Sequence, residues 1–378
     1  MDAGQKIVGV LQRGLEYGVF PGAVALVAQG GKVAFFEHVG NRSLVPERAP
    51  MNRDTLFDLA SLTKVMATIP AIMKLVDQGR VALDDPLSKL IVSTDLGEKR
   101  DLTLRLLLTH SAGLIDWKPF FERLREHPLK ERKRLLRESI IQEPFAYEPA
   151  KGSIYSDLGF MLLEWMIEER TEETLPEFAE KNFYGPLGLK RTLFRGTSEE
   201  GNPPRPSFIK KGKLSAEEFA ATEDCPWRKR VLQGEVHDDN AWTLGGYSGH
   251  AGLFSTAEEI FVFAKMLRDH YLGKRDDFFK TRTVREFFRR QYIVKGSDWA
   301  LGWDTRAWEG SSAGKYFSRD SVGHTGFTGT SIWMDLEKDV IAILLSNRVH
   351  PKRDNDKIKQ FRPVFHDAVM EELGLTSV

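Results

Sequence analysis

Hairpin patterns stand at both ends of this chain and helical periodicity fills its middle, and that order restricts the fold more than any other feature. Near the N-terminus Ile7, Val8, Leu11 and Leu15 repeat at helical spacing. GAVALVAQ and KVAFFEHVG come next, separated by Gly30-Gly31, and two apolar runs around a Gly-Gly pair predict a β-hairpin. Toward the other end TSIWMDL and DVIAILLSN flank Glu337-Lys338 and predict a second hairpin. Residues 357–373 read as a closing helix, ended by Gly374. In between, 64–78, 103–109, 119–142 and 157–170 carry helical periodicity, with few strand signals among them. The predicted class is therefore α+β: an antiparallel sheet assembled from both chain ends, flanked by helices, with a mainly helical region inserted. The expected division is a sheet domain from 1–57 and 241–378 and a helical domain from 58–240, with the active site at their interface. Residues 196–240, with Pro203, Pro204 and Pro206, read as a long excursion that serves as a lid or pocket wall.

A chain of 378 residues buries a core without cross-links, and this one has no choice, since Cys225 is its single cysteine. That excludes a disulfide, a redox pair and a cysteine zinc cluster. The 54 basic and 54 acidic side chains cancel, which gives no reason to expect nucleic acid or an anionic membrane as partner. The basic run KERKRLLRE is interleaved with Glu and Leu and reads as a solvated helix face. There is no run of 18 apolar residues, so no membrane span is expected. The opening MDAGQKIVGVLQRGLEYG lacks the pattern of a secretory leader. The expected location is cytoplasmic, or periplasmic or extracellular if a leader was removed.

The chemistry concentrates in LFDLASLTKVMAT, residues 56–68. A helix begins near Ser61, because Val65, Ile69, Ile72 and Val76 keep helical spacing. Residues three apart share a helix face, so Ser61 Oγ and the Lys64 amine can meet. A serine hydroxyl becomes a good nucleophile when a base takes its proton, and a neutral lysine can do that. The unpaired N–H groups of a helix start suit a developing oxyanion. Alone, Ser-x-x-Lys is better read as a helix-capping Ser and a solvated Lys. Three further segments stand in order with it: LTLRLLLTHSAGL, then Tyr155-Ser156-Asp157 before an apolar helix, then His324-Thr325-Gly326 before a predicted strand. His110, within the first of these, reads as structural.

Ser-x-x-Lys, a Ser-Asp-Asn-type element and Lys-Thr-Gly form the catalytic set of serine β-lactamases and penicillin-binding proteins. FDLASLTK, LLTHSAGL, YSDLGF and HTG make this sequence resemble the class C branch of that superfamily, which includes family VIII carboxylesterases and D-peptidases. GHAGLFSTAEEIFVFAKML also looks like the stretch those relatives place before their last strands, and the resemblance spans about residues 16–375. It implies Ser61 as nucleophile, with Lys64 and Tyr155 as the acid–base pair, either of them the general base. It also implies an oxyanion hole from the backbone N–H groups of Ser61 and Phe327. Asp157, His324, Thr325 and Gly326 would contact substrate.

Two residues depart from the family pattern. Asp157 stands where most relatives carry Asn; an ionised carboxylate only accepts hydrogen bonds and favours the charged form of Lys64. His324 replaces a Lys, and a neutral imidazole is a poor partner for a drug carboxylate. Both argue against an efficient β-lactamase. GEVHDDNAWTLGGYSGHAG adds His237, Asp238, Asp239, Asn240 and His250, which read as a pocket-lining or surface loop. Ser–Lys–Tyr chemistry needs no metal, and neither metal nor cofactor is expected. Trp117 is a candidate pocket wall. The sequence 246–250 misses the last Gly of a G-x-S-x-G elbow, and alternating βα units are absent, which excludes an α/β-hydrolase. The expected activity is acyl transfer from small esters or amides. A D-alanyl-D-alanine carboxypeptidase or related D-peptidase, or a weak β-lactamase, is the alternative within enzymes. A ligand-binding sensor on the same fold is the alternative outside them. The oligomeric state is open.

Overall fold

The computed structural model describes residues 4–197 and 214–377. Seven strands form one antiparallel sheet: β1 (Gly22–Gln29), β2 (Lys32–Ser43), β3 (Ala49–Pro50), β4 (Asp304–Thr305), β5 (Val322–Thr325), β6 (Ser331–Asp335) and β7 (Val340–Ser346), in the spatial order β3-β2-β1-β7-β6-β5-β4. The two chain ends meet where β1 pairs with β7, Ala25 opposite Leu344 and Leu26 opposite Ile343. Gly30 and Gly31 close the first hairpin with φ of 59° and 74°, the left-handed region a tight two-residue turn demands. The second hairpin closes through Asp339, at φ 56°.

Five helices matter most for the sheet and the site: α1 (Gln5–Glu16), α2 (Ile69–Asp77), α3 (Asp157–Thr171), α4 (Ala257–Tyr271) and α5 (Ile358–Glu372). β1 and β7 are apolar at nearly every position because both faces of the sheet are covered. Ala23, Ala25, Val27, Ala342 and Leu344 pack under α1 and α5, against Ile7, Leu11, Phe361 and Phe365. Val24, Leu26, Ile341 and Ile343 point the other way, into a larger core with Val65 and Ile72 of the α2 segment, Phe160 and Leu163 of α3 and Phe263 of α4. The period-2 alternation of a strand thus serves two hydrophobic layers at once.

The predicted helices at 64–78, 103–109 and 157–170 are present. The one expected over 119–142 is two helices, Phe120–Leu124 and Leu129–Gln142, because Pro128 cannot donate within a helix and its ring excludes the residue before it from helical geometry. The middle of the chain also holds more strand than its sequence signals. Phe57–Asp58, Leu253–Ser255 and Leu193–Phe194 form a three-stranded sheet, and Ala221–Cys225 pairs with Arg230–Gln233. Strands of two to five residues are too short to show period-2 alternation. Of the expected excursion, residues 198–213 lie outside the described residues. The remainder carries that hairpin and delivers His237, Asp238 and Asp239 to a cleft. Among the described residues no helix is long and apolar enough to cross a membrane.

Candidate active site

Ser61 comes directly after a strained residue. Ala60 has φ 46°, which is left-handed and rare for a side chain with Cβ. The buried Asp58 carboxylate fastens this turn by accepting the N–H groups of Ala60 (2.8 Å) and His237 (2.6 Å). From there the chain enters a helical turn, passes through a π-helical stretch at Lys64–Thr68 and continues as α2. Ser61 and Lys64 accordingly share a face. The Lys64 ammonium, wholly buried, donates to Ser61 Oγ (2.9 Å), Tyr155 Oη (2.7 Å) and Asp157 Oδ1 (2.7 Å).

Tyr155 and Asp157 arrive from 91 and 93 residues away because the start of α3 is pinned. Ser156 is its N-cap, accepting the Gly159 N–H and donating to Ile115 O. The Ser156 N–H donates to His110 Nδ1 (3.0 Å), and the Asp157 N–H to Asp116 O (2.8 Å). His110, itself at φ 54°, lies with its ring 4.6 Å from that of Tyr155 and 4.5 Å from that of Trp299. An imidazole that accepts at Nδ1 in this position is neutral, and burial with the nearby Lys64 charge pushes it well below the usual histidine value.

The third wall comes from the turn after β5. Thr328 Oγ1 donates to Asp58 O (2.7 Å), Thr330 Oγ1 donates to Leu59 O (3.1 Å), and Arg362 of α5 donates to the carbonyls of Gly326 (2.7 Å) and Thr330 (2.9 Å). A Cβ on Gly326 would meet Leu59 O at 2.5 Å, so only glycine lets the two segments approach this closely. The N–H groups of Ser61 and Phe327 have no acceptor among the described residues. β4 stands outside β5, although it pairs only with Val322 and Gly323 and leaves the His324–Thr325 end uncovered. Burial and the Lys64 charge push the His324 imidazole down to about 3, so it is neutral in this site.

These groups surround a cleft of about 700 Å³, lined also by Trp117, Trp299, Asp304, His237, Asp238, Asp239 and His250. Asn240, from the same loop, instead ties Phe121 N–H and Lys118 O together. Carboxylate and imidazole atoms of Asp157, Asp238 and His250 lie within 4.8 Å of one another. That cluster carries its own cation, since Lys64 holds Asp157 and His250 Nε2 is 3.1 Å from Asp238 Oδ1. Within the Ser61–Lys64–Tyr155 trio, burial lowers and the charges of Asp157 and Tyr155 raise the Lys64 value, and the charges win, so it sits above the usual lysine range. Burial, aided by Asp157 and opposed by Lys64, keeps the Tyr155 phenol above its usual value. At rest both hold their protons.

The β-lactamase family model matches residues 8–363. The chain belongs to the β-lactamase family. It is similar to an N-acetylmuramyl-L-alanine amidase of Bacillus subtilis, 30% identical over 92% of this chain and 81% of that protein. It is also 32% identical to a putative D-alanyl-D-alanine carboxypeptidase of Salmonella typhimurium, over 83% and 73% of the two chains. Among solved structures the fold matches EstCE1, a hydrolase with promiscuous acyltransferase activity (TM-score 0.72, 21% identity, 97% and 98% covered). It also matches the octameric penicillin-binding protein homologue of Pyrococcus abyssi (TM-score 0.70, 20% identity, 99% and 78% covered). Within this family the protein is a serine hydrolase, with the predicted α+β fold of an antiparallel sheet flanked by helices.

Sequence reasoning left Asp58, Trp299, Asp304 and Arg362 unassigned. Arg362 carried a signal, for it shares a helix face with Ile358 and Phe365, where an apolar residue is the norm. Asp304 lines the cleft only in three dimensions. Burial and the Asp298 charge push its carboxyl up to about 7. A raised carboxyl resists ionisation in the folded state alone. Its cost to stability is therefore absent below the usual carboxylate range, grows as pH rises through it, and is constant above about 7. Asp304→Asn is expected to raise the melting temperature by about 1–2 °C at pH 8 and by less at pH 5. That corresponds to about 1 kcal/mol once solvent contact is discounted. Thermal melts at the two pH values check this, and an equal shift at both would remove the titration from the explanation.

Proposed function

We propose that this β-lactamase-family hydrolase cleaves small amides or esters through an acyl-enzyme on Ser61. The supporting observation is the chain from Ser61 Oγ to Lys64 Nζ (2.9 Å) to Tyr155 Oη (2.7 Å) on the floor of the cleft. Ser61 attacks the substrate carbonyl while its proton passes to the Lys64–Tyr155 pair. Oxygen charge develops toward the N–H groups of Ser61 and Phe327, each such donor being worth about 3–4 kcal/mol in the transition state. Tyr155 then protonates the leaving amine or alcohol. Water enters and gives its proton to the same pair, its oxygen displaces Ser61 from the acyl group to release the acid product, and the pair returns a proton to Ser61 Oγ. Because Lys64 and Tyr155 both hold their protons at rest, turnover rises with pH until the pair can accept one.

The amidase and carboxypeptidase relatives favour short peptide or amide fragments as the physiological class, with simple esters as convenient substrates. A neutral His324 offers a β-lactam carboxylate no cation, which supports at most weak β-lactamase activity. The test is intact-protein mass spectrometry after incubation with p-nitrophenyl esters, penicillin, a muramyl-L-alanine peptide and a D-Ala-D-Ala peptide. The expected result is an acyl mass on the peptide that contains Ser61, longest-lived with penicillin. Reversible binding with no adduct from any of the four, and no turnover, would favour a ligand sensor instead.

A further inference from the structure

Asp157 is a difficult neighbour for a lysine that must surrender a proton. It stands 2.7 Å from Lys64 Nζ, and its charge stabilises the ammonium. A second ion pair adjoins it. His250 Nε2 lies 3.1 Å from Asp238 Oδ1, and both are within 4.8 Å of the Asp157 carboxylate. Burial alone would lower the His250 value, but the Asp238 and Asp157 carboxylates outweigh it and favour the imidazolium, with Lys64 opposing. Asp238 is held ionised by His250 and by the Ala241 N–H (2.7 Å), whose helix it caps, with His237 the other cation-forming group near it. With His250 protonated, the four charges alternate in sign: Lys64, Asp157, His250, Asp238.

The position of His250 is built rather than incidental. The residue is 1% exposed. The preceding residues are clamped from the two helical segments that carry the chemistry. Thr68, one turn beyond Lys64, donates to Gly249 O (2.6 Å), and Glu164 of α3 accepts from Gly249 N–H (2.8 Å) and Ser248 Oγ (2.9 Å). Lys133 in turn donates to that carboxylate (2.6 Å).

We propose that His250, paired with Asp238, is a positioning residue that counterbalances the Asp157 carboxylate and so lets Lys64 release its proton during acyl transfer. The inference rests on Ser61, Lys64 and Tyr155 being the acyl-transfer groups. Coulombic effects are reciprocal: the positive charge of Lys64 opposes protonation of His250, so the imidazolium opposes protonation of Lys64 by the same amount. An amide at position 157 would carry no charge and need no such counterweight. Asp157 and His250 are therefore a functional unit, and each makes sense of the other.

The experiment compares His250→Gln, Asp157→Asn and the double variant with the native protein, on p-nitrophenyl butyrate across pH 5–10, with thermal melts to establish folding. For His250→Gln, kcat is expected to fall about 10- to 100-fold with KM changed less than about threefold, and the acid limb of kcat/KM to move up by about one pH unit. Asp157→Asn should move that limb down. In the double variant most of the kcat loss should be recovered, because the charge to be balanced is gone. Independent, additive losses, or an acid limb that stays put, would overturn the proposal. Should His250→Gln not fold, His250→Asn takes its place, and an acid limb that stays put in that variant overturns the idea. Activity of the native protein lost to a chelator and restored by zinc would also overturn it, by assigning the same side chains to a metal. A native protein that forms no Ser61 adduct would instead refute the acyl-transfer reading underneath.

Discussion

Ser61→Ala is expected to abolish acyl transfer and leave the fold intact. Ser61 is partly exposed, at the cleft, and its hydroxyl accepts a 2.9 Å hydrogen bond from Lys64, which keeps Tyr155 and Asp157 as partners when the hydroxyl is gone. Loss of so little packing leaves the melting temperature within a few degrees. The proposed reaction has no substitute for it, because the other hydroxyl bonded to Lys64 is the Tyr155 phenol, which the proposal assigns to proton transfer. Turnover of p-nitrophenyl butyrate should drop by at least about 10³-fold, the residual rate coming from oxyanion stabilisation and bound water. The acyl mass on the Ser61 peptide should vanish with it. Turnover within tenfold of the native protein would remove Ser61 from the reaction.

Tyr155→Phe separates proton transfer from architecture. The ring packs against His110 at 4.6 Å, Trp299 at 5.7 Å and His324 at 5.8 Å, and phenylalanine keeps those contacts. Only the hydroxyl 2.7 Å from Lys64 is lost. A positioned acid–base group contributes about 10²–10⁴-fold, so kcat should fall by that factor while KM changes little. Loss of a leaving-group acid matters most when the leaving group is basic. The defect should therefore be larger for an amide than for a p-nitrophenyl ester, which needs no proton to depart. Steady-state kinetics on the two substrates check this, and an equal loss on both would assign Tyr155 to base catalysis alone.

Local and long-range features of the site differ in how far they were readable in advance. Ser61 and Lys64 are three residues apart on one helical turn, so their meeting is a local property that spacing predicts. The N-cap Ser156 and the acidic first-turn Asp157 announce the start of α3 in the same local way. The break at Pro128 was equally local, and the uninterrupted periodicity on either side of it hid it. Arg362, by contrast, works across the fold. It binds the carbonyls of Gly326 and Thr330 from a helix 36 and 32 residues further on, and nothing in its own segment says which loop it will reach. The same holds for Asp58, whose partner His237 is 179 residues away.

The sequence by itself determined the sheet built from both chain ends, the helices, and the four motif segments on which the proposed chemistry draws, because periodicity, turn residues and short motifs act over a few residues. Only the tertiary structure decided which charges face one another. It placed Asp157 beside Lys64 with His250 and Asp238 next to that carboxylate, left His324 neutral, and set Asp304 in the wall of the cleft. The physical reason is that the strength of a charge interaction depends on distance and on exclusion of water, and both are set by packing between segments that lie far apart in the chain.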